Sequence, residues 1–128
     1  MNCIFGIGTD IVDISRIKIA LNKNKRLKKK IYSFNEIKSV ETKFNKIANY
    51  AKKFAAKEAF SKALGTGFSK GISFNEISIN NNIHGKPYIE LSGKTKLTVS
   101  RYLKRKYKIF LSISDEKKYA LAMVVISY

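Results

Sequence analysis

The segment of residues 45–64 constrains the fold more than any other part of the chain. Its apolar residues recur at the spacing of a helix, and Gly65 follows where a helix C-cap is expected. Residues 54–64 are mostly small or apolar, and a stretch with so little polar surface is usually buried. The segment therefore predicts a long helix that lies in the centre of the fold.

Two charged residues, Lys57 and Glu58, fall on the apolar stripe of this predicted helix. A carboxylate on such a stripe is costly unless a cation, a metal ion or hydrogen-bond donors receive it. Lys62 stands four residues after Glu58, where the two side chains can form an ion pair. That pair, with Lys57 extending its ammonium to solvent, explains the charges without any active site. A structural and a functional interpretation both remain open from these residues.

The composition limits the class of protein and of partner. The chain has 128 residues, 45% of them hydrophobic, which predicts one folded domain over residues 1–128. Its formal charge of +17 makes nucleic acid, acidic proteins and phosphorylated small molecules plausible partners. A single Cys3 and a single His84 exclude metal sites built from several cysteines or histidines.

The sequence also shows no pattern typical of a targeting signal. The N-terminus has no basic segment followed by a long apolar run, and no stretch of about 18 apolar residues occurs. We expect a soluble cytoplasmic protein that has no membrane partner.

The first strand contains a second misplaced carboxylate. Residues 3–12 read as a strand, in which Gly6 and Gly8 indicate a bulge or the close approach of another backbone. Asp10 lies inside this apolar strand. It could serve as a turn or helix cap, although Asp13 is the better cap for the helix that follows.

The remaining elements are predicted from periodicity and turn residues. A helix begins after Asp13, and a second one follows Ser33, which forms a capping box with Glu36. The last strand is apolar on both faces and is expected to be central. The predicted ranges are a helix over 34–44, strands over 74–79 and 88–91, a basic helix over 94–106, and a hairpin of strands 109–114 and 119–126.

Charge alone favours a basic nucleic-acid-binding module. Tyr102 and Tyr107 alternate with Arg101 and residues 104–106, which are Lys-Arg-Lys. Basic segments with aromatic residues can follow a phosphate backbone and stack on bases. Such a module has no need of carboxylates on apolar elements, and this argues against it.

Four stretches together resemble the holo-[acyl-carrier-protein] synthases, the small bacterial type of 4′-phosphopantetheinyl transferase. They are residues 6–13 (Gly-Ile-Gly-Thr-Asp-Ile-Val-Asp) with Arg16 and Ile17, residues 54–59 (Phe-Ala-Ala-Lys-Glu-Ala) with Lys62, Ala63 and residues 65–67 (Gly-Thr-Gly), Asn82 with residues 85–87 (Gly-Lys-Pro), and residues 112–114 (Ser-Ile-Ser) with Tyr119, Ala120 and Ala122. The order and spacing also match. One departure is Asp115, where many members of the family carry histidine.

The resemblance implies an activity and an assembly. Phosphopantetheine would pass from coenzyme A to a serine of apo acyl carrier protein, with release of adenosine 3′,5′-bisphosphate, in support of fatty acid biosynthesis. Mg²⁺ would be required, and nucleic acid would have no role. The implied fold is α/β (α+β), with a mainly antiparallel sheet packed against a long central helix. It would form a homotrimer with active sites at the subunit interfaces.

The resemblance also implies roles for particular residues. Asp10 and Glu58 would bind Mg²⁺, which prefers oxygen and often takes one or two carboxylates with phosphate and water. Glu58 and Lys62 would be catalytic, and either Glu58 or, as a weaker candidate, Glu36 could take the serine proton. The expected contacts of coenzyme A and its phosphates are Lys57, Lys62, Gly65, Thr66, Gly67 and Pro87. The acidic carrier protein would dock on Arg16, Lys23 and Arg26.

Overall fold

The computed structural model describes residues 3–66 and 71–128. Its elements in chain order are β1 (Ile4–Asp13), α1 (Ile14–Lys23), α2 (Leu27–Ile31), α3 (Phe34–Glu41), α4 (Lys46–Leu64), a 3₁₀ turn (Phe74–Glu76), β2 (Ile77–Asn81), β3 (Pro87–Leu91), α5 (Gly93–Leu103), β4 (Lys108–Asp115) and β5 (Tyr119–Ser127). All strand pairs are antiparallel. The predicted class, an antiparallel α/β fold around one long helix, is confirmed.

The main sheet has the order β1-β5-β4, and β2 and β3 form a separate hairpin. The position of β5 in the middle confirms the prediction from its two apolar faces. Every second residue of β5 is buried on the side of α4, and two of these residues are alanines. Small side chains there allow the helix to lie close to the sheet, while the other face of the sheet stays open.

The glycines of β1 bring its backbone directly against α4. A Cβ atom at Gly8 would overlap the carbonyl oxygen of Ala59, and one at Gly6 would overlap that of Ala63. The strand also changes register between Ile4 and Gly6. The close approach that was expected from this glycine pair is therefore present, and it fixes the distance between strand and helix.

We expect Gly8→Ala to destabilise the protein by about 3 kcal/mol, at the upper end of the cost of overpacking a core. The added methyl group would meet helix backbone, which cannot rotate away as a side chain can. Denaturant unfolding measures the loss. Ser100→Ala is the control, because Ser100 is exposed on α5, outside the main sheet, and its replacement should change stability by less than about 0.5 kcal/mol. Equal effects of the two variants would contradict the close contact.

Three of the predicted helix caps are present. The Asp13 side chain accepts from the Ser15 amide, and Ser33 and Glu36 form the capping box. Gly65 ends α4 in the left-handed conformation at φ 81°, with its amide bonded to carbonyls of the last turn. These local bonds explain why the starts of α1 and α3 and the end of α4 were predictable.

Three boundaries differ from the prediction by three residues each. The strand predicted over 74–79 begins only at Ile77, because residues 74–76 form the 3₁₀ turn. That turn places the Glu76 carboxylate where it accepts from the Lys94 and Thr95 amides at the start of α5. Helix α5 ends at Leu103, since Lys104 has φ 59°, and α3 ends at Glu41.

In the two described stretches of the chain, every helix is too short or too polar to cross a lipid bilayer.

Candidate active site

Asp10 and Glu58, the two carboxylates on apolar elements, line the same cleft. Asp10 pairs with Ala122 of β5, whose side chain faces α4, so the Asp10 side chain also faces this helix. The cleft has a volume of about 290 Å³, and we call it the carboxylate cleft. Its walls include Asp10, Val12, Arg16, Phe54 and Glu58. The sequence prediction that residues 10 and 58 converge therefore agrees with the structure.

Lys62 connects the helix to the strand in this region. Its ammonium Nζ lies 3.1 Å from Oδ1 of Asp10, and the side chain of Lys62 is 56% exposed. The Asp10 side chain is only 15% exposed. Because the Lys62 side chain is already exposed, its ammonium can exchange Asp10 for a ligand phosphate without any change in the packing of the core.

The electrostatics of Glu58 reflect its surroundings. Burial raises the pKa of the Glu58 carboxyl, the nearby charge of Asp10 raises this pKa further, and the ammonium of Lys62 opposes both effects. Two carboxylates that repel one another across a cleft gain from a shared cation.

The chemistry of this pair fits Mg²⁺, which is commonly held by one or two carboxylates together with phosphate and water oxygens. Over residues 3–66 and 71–128, no three acidic, histidine or cysteine side chains form a group that could hold a metal ion. A cation between Asp10 and Glu58 would therefore take its remaining oxygens from substrate and water.

Lys57 does not lie where the resemblance implies. It is fully buried, and its ammonium donates to Glu36 Oε1 at 2.7 Å and to the carbonyl oxygens of Phe74 and Ile77. These bonds use all three of its donors. The expectation that Lys57 contacts the phosphates is therefore wrong for this structure, and so is the alternative that it extends to solvent.

Glu36 is excluded as a candidate base because its carboxylate is also buried and hydrogen-bonded within the fold. Only 1% of the residue is exposed. Its Oε1 accepts from the Ser33 amide and from Lys57, and its Oε2 accepts from the Ile79 amide at 3.1 Å. Of the two carboxylates considered for proton transfer, Glu58 is the one that borders a cleft.

The Lys57 ammonium makes stability depend on pH. Burial lowers its pKa from 10.5 to about 8, although the charge of Glu36 raises it. The unfolded chain then binds more protons than the folded one between those values, so the free energy of unfolding should increase as pH rises from about 8 towards 10.5. Denaturant unfolding at several pH values measures this against Lys57→Met, which cannot titrate there. A wild type that weakens relative to the variant on going to high pH would contradict the prediction.

Pro87 lines a different cavity, which we call the lysine pocket. It has a volume of about 220 Å³, and its charged walls are Lys43, Lys52, Lys53 and Asp115. Lys53 is buried and donates to the Ile79 carbonyl. These three lysines were not among the site residues predicted from the sequence. Helical periodicity could have indicated Lys53, which lies one turn before Lys57 on the same buried side of α4.

Of the other predicted site residues that the structure describes, Arg16 lines the carboxylate cleft and the rest are located by their elements. Gly65 and Thr66 follow α4, and Gly67 lies outside the described residues. Arg16 is exposed on α1 and borders the carboxylate cleft, whereas Lys23 ends α1 and Arg26 precedes α2. Their assigned contacts with phosphate and carrier protein stay predictions.

The aromatic residues of the basic C-terminal region have partners within the fold. Tyr102 packs edge-on against Phe5 with ring centres 5.9 Å apart, and the Arg105 guanidinium lies 4.4 Å from the ring centre of Tyr128. Tyr102 and Arg105 thus contribute to packing within the fold, which accounts for them without a nucleic-acid partner.

Comparison with known proteins identifies the family. The family model of the 4′-phosphopantetheinyl transferase superfamily matches residues 6–124. The holo-[acyl-carrier-protein] synthase of Buchnera aphidicola is 49% identical over 124 residues, which cover 96% of this chain and 97% of that protein. This chain belongs to the holo-[acyl-carrier-protein] synthases. The synthase motifs quoted from the sequence, from Gly6 to Ala122, all fall inside the matched range.

Solved synthase structures share the fold. The crystal structure of the Neisseria meningitidis synthase has a TM-score of 0.88 and 34% identity, covering 97% of this chain and 98% of that one. The Bacillus anthracis synthase, solved in complex with CoA (3′,5′-ADP), has a TM-score of 0.80 and 35% identity, covering 97% of this chain and 96% of that one. The synthase fold is thus present over nearly the whole chain.

Proposed function

We propose that this synthase transfers 4′-phosphopantetheine from coenzyme A to a serine hydroxyl of apo acyl carrier protein. Adenosine 3′,5′-bisphosphate is the second product, and the reaction serves fatty acid biosynthesis. The observation that carries the proposal is the carboxylate cleft, where Asp10, Glu58 and Lys62 meet. The related synthase that was solved with coenzyme A supports the choice of donor.

Asp10 and Glu58 are the residues that would hold Mg²⁺ in this cleft. When bound, the ion supplies positive charge to the diphosphate of coenzyme A as phosphoryl transfer proceeds. Lys62 adds a second positive charge from α4. Charge neutralisation and positioning are what phosphoryl transfer requires of a protein.

The transfer also needs a proton acceptor. As the serine oxygen bonds to phosphorus and the diphosphate bond breaks, the hydroxyl proton must leave. The Glu58 carboxylate or a water in the cleft takes it.

The basic surface of α1 gives the carrier protein a docking site. Arg16 is exposed at the rim of the carboxylate cleft, and Lys23 and Arg26 continue the positive surface beyond it. Carrier proteins of this class are acidic, so complementary charge would steer the serine towards Glu58. The lysine pocket, with Pro87 in its wall, provides positive charge for the nucleotide end of coenzyme A.

The open face of the main sheet is the surface for other copies of the chain. Its apolar side chains are between 41% and 62% exposed; they are Ile7, Ile11, Phe110, Leu121 and Met123. A continuous apolar surface of this kind marks an interaction site. A hollow of about 340 Å³ on it is lined by Ile11 and Asp115. Ile11 also lines the carboxylate cleft and Asp115 the lysine pocket, so a neighbouring copy would border both. This supports a homotrimer with active sites between subunits.

Mass spectrometry tests the transfer. The purified protein is incubated with coenzyme A, Mg²⁺ and apo acyl carrier protein, and the carrier should gain about 340 Da, the mass of the transferred arm. A carrier protein that lacks the acceptor serine is the control and should gain nothing. Removal of the metal with a chelator should stop the reaction. No mass gain on the intact carrier protein would reject the proposed function.

Light scattering tests the assembly. The wild type should have three times the mass of the chain, and Met123→Glu should release monomers because it places a charge on the open face. Leu97→Glu is the matched control, since Leu97 is an exposed apolar residue of α5 and does not belong to the sheet. A monomeric wild type at working concentration would reject the trimer.

A further inference from the structure

Asp115 places a negative charge in an otherwise positive cavity. It is the sole acidic residue among those that line the lysine pocket over the described part of the chain. Asp115 ends β4 and pairs with Ala120 of β5, whose side chain is buried towards α4. The carboxylate therefore points to the helix, where its Oδ1 lies 3.9 Å from Nζ of Lys52.

Lys52 is accessible to an anion that enters the pocket, and its ammonium is already paired with Asp115. Lys53 is buried, and its ammonium is committed to the Ile79 carbonyl. The side chains of Lys52 and Asp115 are 30% and 38% exposed. Lys43 is the other accessible lysine of the pocket. An anion that also binds Lys52 must share this ammonium with Asp115 or displace the carboxylate.

The proposed function decides which phosphate would enter. The diphosphate of coenzyme A belongs to the carboxylate cleft, where the reaction takes place. The 3′-phosphate on the ribose is the remaining phosphate of coenzyme A. The lysine pocket would receive it, because this cavity combines three lysines with Pro87, a residue expected to contact coenzyme A. This phosphate distinguishes coenzyme A from dephospho-coenzyme A.

We propose that Asp115 is a specificity-determining residue that competes with the 3′-phosphate of coenzyme A for Lys52. The inference rests on the proposed function, because it takes the nucleotide end of coenzyme A as the ligand of the pocket. The carboxylate lowers the affinity for coenzyme A and also for adenosine 3′,5′-bisphosphate, which carries the same phosphate. It thereby favours release of this product and reduces the preference for coenzyme A over dephospho-coenzyme A.

The size of the effect follows from the exposure of the pair. Partly exposed ion pairs are worth little each, and a phosphate also meets repulsion from the carboxylate. We expect Asp115→Asn to tighten the binding of coenzyme A about three- to tenfold and that of dephospho-coenzyme A less than about twofold. Glu90→Gln is the matched control, because Glu90 is an exposed acid on β3 outside the lysine pocket.

Isothermal titration of both ligands on the full-length protein measures these dissociation constants. A double-mutant cycle with Lys52→Met then tests whether Asp115 acts through Lys52. Lys52→Met should weaken coenzyme A selectively, and Asp115→Asn should have little further effect in its presence. Equal tightening of both ligands, no change, or weaker binding in Asp115→Asn would each overturn the competition.

The outcomes also separate this inference from the proposed function. A wild type that binds no coenzyme A and modifies no carrier protein overturns both. A wild type that binds and transfers, with an unchanged ratio of the two affinities in Asp115→Asn, overturns only the role of Asp115. A selective gain for coenzyme A in Asp115→Asn that disappears in the double variant supports the role.

Discussion

Replacing Glu58 by glutamine is expected to lower the rate of phosphopantetheine transfer by about 10²- to 10³-fold, the loss seen when a group that stabilises transition-state charge is removed. The amide keeps the size of the side chain but neither attracts a cation as a carboxylate does nor accepts a proton. Mass spectrometry of the carrier protein over time gives the rate. Glu90→Gln, which removes an exposed charge from β3, should retain full activity. Full activity of Glu58→Gln would remove Glu58 from the site.

The same variant should be more stable than the wild type when no metal ion is present. The pKa of Glu58 is raised in the folded state by burial and by Asp10. At low pH the Glu58 carboxyl is protonated in both the folded and the unfolded state, and its contribution to stability is complete. As pH rises through the folded-state pKa, the buried carboxyl loses its proton and the free energy of unfolding falls. Glutamine imitates the protonated form. Thermal unfolding should show a higher midpoint for Glu58→Gln at pH 7 and no difference near pH 4.

Addition of Mg²⁺ should stabilise the wild type more than the variant, which is opposite to the difference expected without metal. An ion that binds the folded wild type and not the unfolded chain raises its unfolding midpoint by mass action. The variant, with one carboxylate left, should respond much less to the ion. A variant that loses activity and also loses stability at pH 7 would instead indicate a structural role for Glu58.

Lys57→Met should produce the largest loss of stability, about 3–5 kcal/mol, which is the cost of leaving one member of a buried ion pair without its partner. Glu36 and Lys57 both have fully buried side chains. Without the ammonium, Glu36 keeps its amide donors but remains a buried charge, and the carbonyls of Phe74 and Ile77 lose a donor. Denaturant unfolding at neutral pH gives the difference in free energy.

Two further variants identify the cause. Glu36→Gln in the Lys57→Met background removes the orphaned charge and should recover part of the loss. Lys53→Met removes a buried ammonium whose hydrogen bond goes to the Ile79 carbonyl, so about 1–3 kcal/mol is expected. A cost of Lys57→Met no greater than that of Lys53→Met would contradict the importance of the pair with Glu36.

Local signals in the sequence predicted most of the fold. Helix starts at Asp13 and Ser33 and the end of α4 at Gly65 depend on bonds between residues within a few positions of each other. The carboxylates of residues 10 and 58 were also predictable as a pair. Each was energetically misplaced in its own element, and the resemblance gave both the same role.

The role of Lys57 was not predictable in the same way. Its acceptor Glu36 lies 21 positions away, and the sequence assigned Glu36 to a capping box or to proton transfer. Helix α4 is buried on most sides, so amphipathic periodicity does not tell which residues face a cleft and which face the core. The lysine pocket is likewise assembled from α4, the β2–β3 hairpin and the end of β4, and its residues meet only in the folded chain.

The contact of Gly6 and Gly8 with α4 has a consequence for engineering. Because main chain lies on main chain there, the gap between the elements that carry Asp10 and Glu58 cannot be widened or narrowed by exchanging core side chains. If Asp10 and Glu58 hold the ion as proposed, a redesign aimed at a larger cation would have to shorten one of these side chains, for example with Glu58→Asp.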